Sequence, residues 1–528
     1  MNMLHKLKTY FCSNPDSLLK QGGLGRVFSI GACLTLLLTA CTGRPSEAVQ
    51  IDQLPNIYPD YFDVTIPAGI APLNFNLMAE GPLRKEADVD KIYVEVKGSK
   101  GGEISASGQY ADFDIDDWNK LTRQNAGGTL TFSVYVKDDG NWMQYKDFVV
   151  NVSPYELEDY GVTYRKLAPG YEVYSHIGNY QRDLHSWDEE AIIESQSVPG
   201  QCMGCHTNNR TSPRQFTFQL RGAHGATLIQ REVSNAQGKT EVRREWIKSN
   251  HDSILSKCVY PYWHPSGNYC AYSLNKIYQL FWTAHERLIE VFDDGSDVVV
   301  MDVRTKEILR SPLIEHTKGV YETYPAFSVD GKTLYFCASY AYIVPRYADS
   351  VRYDLCSIPF DEKDGTFGSR IDTIIPAASE GHSITFPRPS YDGKWLLYSQ
   401  ADFGNFPINH KEADLWLLNL ETGERHALTE ANSDCSESFH NWSSNSRWIC
   451  YSSRREDGLY GLLYFSSIDD EGRSTKPFLL PQRNPWQYYH SNKYSFNVPD
   501  FTCDKVDFDV HSAYQEVFGD ALIPVTLR

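Results

Sequence analysis

The chain lacks a basic surplus, is sparing with methionine and cysteine, and has one long apolar run only. Its 50 Lys and Arg face 68 Asp and Glu, a net charge of -18. A general nucleic-acid binder needs a basic face to neutralise phosphates, so that class is excluded. Twelve Cys in 528 residues are too sparse for a small disulfide scaffold. No Gly-x-Ser-x-Gly elbow, no Gly-rich phosphate loop and no His-Glu-x-x-His occurs. These absences remove the common α/β-hydrolase, phosphate-loop and metalloprotease machineries. What the chain has is 41% hydrophobic and 22% charged residues, enough to bury large cores. Its 34 Tyr, 25 Phe and 11 Trp suit strands, which favour aromatic side chains. The length allows roughly two to four domains.

The apolar run, 27–38, follows Lys6, Lys8, Lys20 and Arg26 and ends in Leu38-Thr39-Ala40-Cys41. It has the length of a signal-peptide core and is short for a membrane span. Small residues just before a cysteine resemble the cleavage pattern of bacterial lipoproteins. The resemblance implies a signal peptide over 1–40, lipid on Cys41 and a tether over 41–50. Acyl chains hold a protein by burying CH₂ groups in the bilayer. Losing 1–40 would deepen the charge to -21. The expected location is the bacterial envelope, on the periplasmic face of the outer membrane.

Residues 51–155 alternate with period two, as in Lys91–Val96, Thr129–Val136 and Lys146–Val152, and show no helical periodicity. They predict a small immunoglobulin-like β-sandwich serving as a spacer or adhesion surface. From 166 onward a block recurs. Four stretches beginning at Pro261, Pro325, Pro387 and His440 align without gaps and turn at Gly267, Gly331, Gly393 and Ser446. Asp-Gly tolerates the positive φ that tight hairpins demand. Each block is followed by a second hairpin, clearest at Asp414–Thr429. Two hairpins per 50–60 residues describe a four-stranded propeller blade. The blocks resemble the WD40-like repeats of TolB-type β-propellers. The predicted fold class is all-β, a sandwich followed by a propeller of about six blades over 166–528. Its first, divergent blade is placed at 171–246.

One chemical signature stands out: Cys202-Met203-Gly204-Cys205-His206. In an exported bacterial protein Cys-x-x-Cys-His reads as a c-type haem attachment motif. Two thiols three positions apart reach the vinyl groups on one porphyrin edge, and the following His can ligate iron. The expected cofactor is haem c on Cys202 and Cys205, with His206 as the proximal metal ligand, in a loop of the first blade. His176, His185 and His224 are the candidates for a distal ligand. A disulfide or dithiol, a zinc site and a degenerate remnant are the alternatives. The whole order of lipoprotein signal, β domain, propeller and single motif resembles a Bacteroidetes-type family of exported lipoproteins.

Cys270, Cys337 and Cys450 fall in strands just after repeat turns and read as small core residues. The acid pairs Asp293-Asp294 and Glu189-Glu190 read as solvated loops. The leading functional expectation is electron transfer or haem-based sensing in the envelope, with a redox or envelope protein as partner. The rival is a non-redox, TolB-like interaction propeller. A third is a carbohydrate- or peptide-binding protein whose aromatic loops contact ligand. No catalytic residue is expected.

Overall fold

The computed structural model describes residues 43–81, 84–168, 176–235, 237–249, 251–281, 289–315, 319–342, 344, 346–519 and 522–528. The chain divides after Gly43, and the unit from Arg44 onward carries the fold. The expected leader and Cys41 lie outside the described residues. Among those residues no helix is long and apolar enough to cross a membrane.

The first β region is built on a seven-stranded sheet. Lys91–Gly98 pairs with Glu103–Gly108 on one side and Thr129–Asp138 on the other. Thr129–Asp138 then carries Phe148–Val152 along its first half and Asn141–Gln144 along its second. The absence of helix expected here is corrected. Ile115–Gln124 is helical, capped by the Asp114 carboxylate on the N–H groups of Asp116 and Asp117. The helix is ten residues long and buries mainly Trp118 and Leu121, too little pattern to register in the sequence. Trp118 anchors it by donating Nε1–H to the Ile70 carbonyl at 3.0 Å.

This region is not an isolated spacer. A single apolar core runs from Ile57 and Trp118 through Tyr164 to Trp448 and Phe501. Asn76 with Asn484, Lys476 with Asp60 and Arg84 with Glu456 stitch the same junction with polar contacts.

The rest is a six-bladed propeller among the described residues. Blade 1 takes its innermost strand, Ser495–Thr502, from the far end of the chain. Its three outer strands are Gly161–Leu167, Gly178–Asp183 and Glu189–Glu194. Innermost strands of blades 2 to 6 are Gln201–Asn209, Val259–Trp263, Val320–Phe327, Ser383–Pro389 and Glu437–Trp442. The propeller thus starts at Gly161 and closes on Thr502, paired directly opposite. Past the closure, Ile523–Pro524 and Thr526–Leu527 pair in parallel with the outer strands of blades 2 and 3. The divergent blade placed at 171–246 is corrected: this stretch is shared between blades 1 and 2.

The repeat turns form as their residues dictate. Ser328, Ser390 and Ser443 each hydrogen-bond Asp330, Asp392 or Asn445 two positions on. Each hydroxyl also accepts the N–H five residues later, from Thr333, Trp395 and Trp448. Gly331, Gly393 and Ser446 follow at φ 74°, 75° and 60°. This serine-centred clasp is why the blocks align so cleanly in the sequence.

Candidate functional site: the inner strands and the channel mouth

Each of the six innermost strands carries a bulge at the same register. Two residues oppose one: Tyr260-Pro261 face Tyr272, Tyr324-Pro325 face Phe336, and Phe386-Pro387 face Tyr398. Phe439-His440 face Tyr451, and Val498-Pro499 face Tyr164. A bulge leaves its extra residue out of the ladder, which suits proline, since it has no N–H to offer. In five blades the first bulge residue has positive φ, between 48° and 53°. That conformation is uncommon for aromatic residues and costs of order 1 kcal/mol each. Packing offsets the strain. Tyr260, Tyr324, Phe386 and Phe439 lie ring against ring, with centroids 4.7, 4.2 and 4.6 Å apart in sequence around the blades.

Blade 2 repeats the bulge with Gly204-Cys205 opposite Gln219. The expected haem motif is therefore the second blade's copy of the repeated bulge. Cys202 occupies the register of Cys258, Cys205 that of Pro261, and His206 that of Tyr262. The expectation of a loop in the first blade is corrected: 202–206 lies inside the strand Gln201–Asn209. The sequence hid this copy because its hairpin is longer. Gln219 follows Cys205 by fourteen positions, whereas Tyr272 follows Pro261 by eleven.

Cys202 and His206 both lie near Arg165 of blade 1, whereas Cys205 has other neighbours. The Cys202 sulfur lies 3.8 Å from the Arg165 guanidinium on blade 1. Cys205 is buried beside Tyr260 of blade 3 and Arg388 of blade 5. His206 is 1% exposed, packs on Phe216 and shares a 2.9 Å hydrogen bond between Nε2 and the Thr163 hydroxyl. Burial drops its pKa to about 4, so the ring is neutral near pH 7. A haem needs both sulfurs on one edge of the macrocycle and the imidazole on its face. As folded, the motif is paired within a strand, Cys205 is buried and the imidazole is held between blades 1 and 2 by Thr163 and Phe216, so these residues do not fit the group.

The distal candidates are dispersed. His176 is exposed and meets Gln196. His185 Nδ1 is 2.8 Å from the Gly69 carbonyl of the first β region. His224 is exposed against Phe518. All nine described cysteines are free thiols, and Cys270, Cys337 and Cys450 are fully buried as expected. Among the described residues no group of three or more His, Cys, Asp or Glu is placed to hold a metal ion.

The acid pairs read as solvated loops are corrected in part: both lie in strands, Asp294 and Glu190 are exposed as expected, and Asp293 and Glu189 are engaged. Asp293 is buried, accepts from Tyr353 OH at 2.8 Å and Asn405 Nδ2 at 2.7 Å, and burial pushes its pKa up to about 6. Glu189 accepts from Tyr164, Tyr488 and Lys166. Asp293 lies on the long hairpin Tyr269–Phe281 and Ile289–Asp302 of blade 3. That hairpin reaches blade 5, where Glu290 Oε2 meets His410 Nε2 at 2.9 Å.

Where the inner strands end at their turns, a small pocket of about 20 Å³ opens at the channel mouth, room for about one water. Asn208, Tyr262, Trp263, Tyr391 and Asn441 are among its walls. Beside it, Asp500 is 1% exposed and fully engaged. It accepts from Thr207 Oγ1 at 3.0 Å, Asn208 N at 2.6 Å and Asn441 Nδ2 at 2.7 Å. Burial raises its pKa to about 7 despite these donors and the nearby Arg388. Sequence reading passed over Asn208, Arg388, Asn441 and Asp500. The signal was available: Arg388, Asn441 and Asp500 follow their bulges at the register of Tyr262.

No protein-family model matches the chain, and no curated protein matches it. Among solved structures, TolB from Acinetobacter baumannii is 13% identical and has a TM-score of 0.40, covering 74% of this chain and 86% of that one. An oligogalacturonate lyase in complex with manganese is 14% identical with a TM-score of 0.33, covering 79% and 99%. A putative 6-phosphogluconolactonase from Bacteroides fragilis is 10% identical with a TM-score of 0.32, covering 62% and 97%. The propeller is established by the strand pairing described above and not by these likenesses.

Proposed function

We propose that this protein is an envelope-anchored, non-redox binding propeller. Lipid on Cys41 holds it at the membrane, and the channel mouth presents a binding surface to a small ligand or an envelope partner. One observation carries this reading: the Cys-x-x-Cys-His segment is a buried, strand-bound copy of a bulge found in every blade. The mouth, by contrast, gathers the aromatic side chains Tyr262, Trp263 and Tyr391 around a small opening.

The second reading is haem c on Cys202 and Cys205 with His206 on iron. It is favoured by the motif spacing and requires blade 2 to give up its innermost strand pairing. One experiment separates the two. The full-length chain is expressed in cells competent for cytochrome c maturation, beside a control cytochrome. Its denatured mass and pyridine haemochrome spectrum are then recorded. The expected result is no haem increment and no c-type band. A haem-sized increment that disappears in both Cys202→Ala and Cys205→Ala would overturn the binding reading. The anchor is tested separately: Cys41→Ala is expected to move the protein from the membrane fraction to the soluble one.

A further inference from the structure

The long hairpin of blade 3 outgrows its blade. Tyr269–Phe281 and Ile289–Asp302 stay paired along their whole length, yet the innermost strand Val259–Trp263 begins opposite Ser273. From Leu274 onward the hairpin therefore projects from the face opposite the mouth. Its two strands meet different surroundings there. Lys276, Ile277, Tyr278 and Gln279 are exposed in a row, whereas Glu290, Val291, Phe292 and Asp293 are buried in a row. Successive side chains point to opposite faces of a strand, so four consecutive buried residues require cover on both faces.

Blades 4 and 5 supply the contacts. Tyr353 of blade 4 and Asn405 of blade 5 donate to Asp293, and Asn409 Nδ2 donates to the Ile289 carbonyl at 3.1 Å. Tyr324 OH donates to the Asn405 carbonyl at 2.6 Å, which ties this contact to the ring of bulge aromatics.

His410 of blade 5 is the one contact of this set that changes charge near pH 7 by its chemistry. Its side chain is 0% exposed and packs on Phe403, with ring centroids 4.7 Å apart. Nε2 lies 2.9 Å from Glu290 Oε2 on the hairpin, and Nδ1 lies 3.2 Å from Glu412 Oε1 on its own blade. A neutral imidazole has one N–H and a lone pair on the other nitrogen, so it serves one of these carboxylates only. The imidazolium serves both. Burial opposes the charge, but the bonds to Glu290 and Glu412 outweigh it and hold the pKa above 6.5. Among the described residues, Glu290 and Glu412 are the charged groups that face the ring, and the next residue, Lys411, is exposed.

The sign of the linkage follows. A histidine whose pKa is raised by docking contributes its full stabilisation below pH 6.5 and loses it as the pH rises through the raised value. Asp293, pushed up to about 6 by burial, acts in the same direction at lower pH, because the docked hairpin takes up its proton more readily than a solvated carboxyl does.

We propose that the long hairpin of blade 3 is a proton-dependent strap, held on blade 5 by protonated His410 and loosened as the pH rises. The strap is independent of the mouth and of the fate of the Cys-x-x-Cys-His segment.

The test is hydrogen exchange read by mass spectrometry on the full-length chain in detergent, from pH 6 to pH 9, with each rate divided by its intrinsic value. Protection of 289–293 is expected to fall at least fivefold across this range, while that of Trp448–Ser453 in blade 6 changes less than twofold. Exchange of the His410 ring C–H, followed in the same samples, is expected to titrate above pH 6.5. His410→Gln is expected to remove the pH dependence of 289–293. If that variant does not fold, Glu412→Gln decides, since losing one carboxylate is expected to lower the pH at which protection is lost. A ring that titrates at or below 6.5, protection of 289–293 that does not change with pH, or the same pH-dependent loss in the variants as in the parent chain would each overturn the proposal.

Discussion

Blades 2 and 5 use one backbone device for two ends. In both, the innermost strand bulges at the same register and the residue after the bulge faces a neighbouring blade or the channel. Blade 5 fills the bulge with Phe386-Pro387 and follows it with Arg388. Blade 2 fills it with Gly204-Cys205 and follows it with His206. Phe386 completes an aromatic collar with Tyr324 and Phe439. Gly204 contributes no side chain, and an added Cβ would meet Gln219 at 3.0 Å. The residues that look chemical in the sequence are thus the packed ones. Arg388, which looks ordinary in the sequence, reaches across the channel to the Tyr262 ring.

The comparison breaks most visibly at the collar. Phe386→Ala should cost about 3–5 kcal/mol, as for other buried Phe truncations, because the ring packs on two neighbours. Urea denaturation would measure it. A loss under 1 kcal/mol would mean the strained backbone is not held by ring packing.

A second effect belongs to blade 2. His206 has its pKa lowered from 6.5 to about 4 by burial. Below pH 6.5 the unfolded chain therefore takes up a proton that the folded chain refuses. Stability should fall as the pH drops from 6.5 to 4, by roughly 3 kcal/mol from this residue alone. His440, lowered to about 3 by burial in blade 6, adds to the same slope. His206→Gln should flatten the loss in urea midpoint between pH 7 and pH 4. An unchanged slope would show that His206 is not buried as a neutral ring.

The smallest expected effect is the most discriminating. Cys205 occupies the register that proline fills in four blades. Cys205→Pro should therefore change stability by about 1 kcal/mol or less. Proline at Thr217, which pairs on both sides with Thr207 and Ile229, should cost about 3 kcal/mol or more. Thermal melts of both variants, side by side, decide whether the bulge in blade 2 is equivalent to the others.

Much of the fold was legible because its determinants are local. The serine-centred clasp of blades 4 to 6 and the related His264-Pro-Ser-Gly267 turn of blade 3 each involve a few consecutive residues, so these blades are legible in the sequence. The period-two runs at Lys91–Gly98 and Thr129–Asp138 were equally plain. Blade 1 was hidden because its strands lie more than 290 residues apart, with Thr163 opposite Asp500. Blade 2 was hidden by three extra hairpin residues. Its Cys-x-x-Cys-His spacing was then read as chemistry, because spacing alone does not say whether a thiol faces a cofactor or a neighbouring blade. Asp293 was misjudged for a related reason. A charged pair in a row suggests solvent, and Asp294 is exposed, yet the long hairpin carries Asp293 under Tyr353 and Asn405.

The sequence by itself determined the strands, the turns, the repeat and so the all-β propeller class, because hydrogen-bonded turns and side-chain alternation depend on neighbours within a few residues. Only the tertiary structure decided how the ring closes, which bulge each motif residue occupies and which acids are buried. Those outcomes depend on burial and on contacts between blades far apart in the chain. For that reason Cys205 and His206 are packed between blades, and Arg388 reaches across the channel to Tyr262.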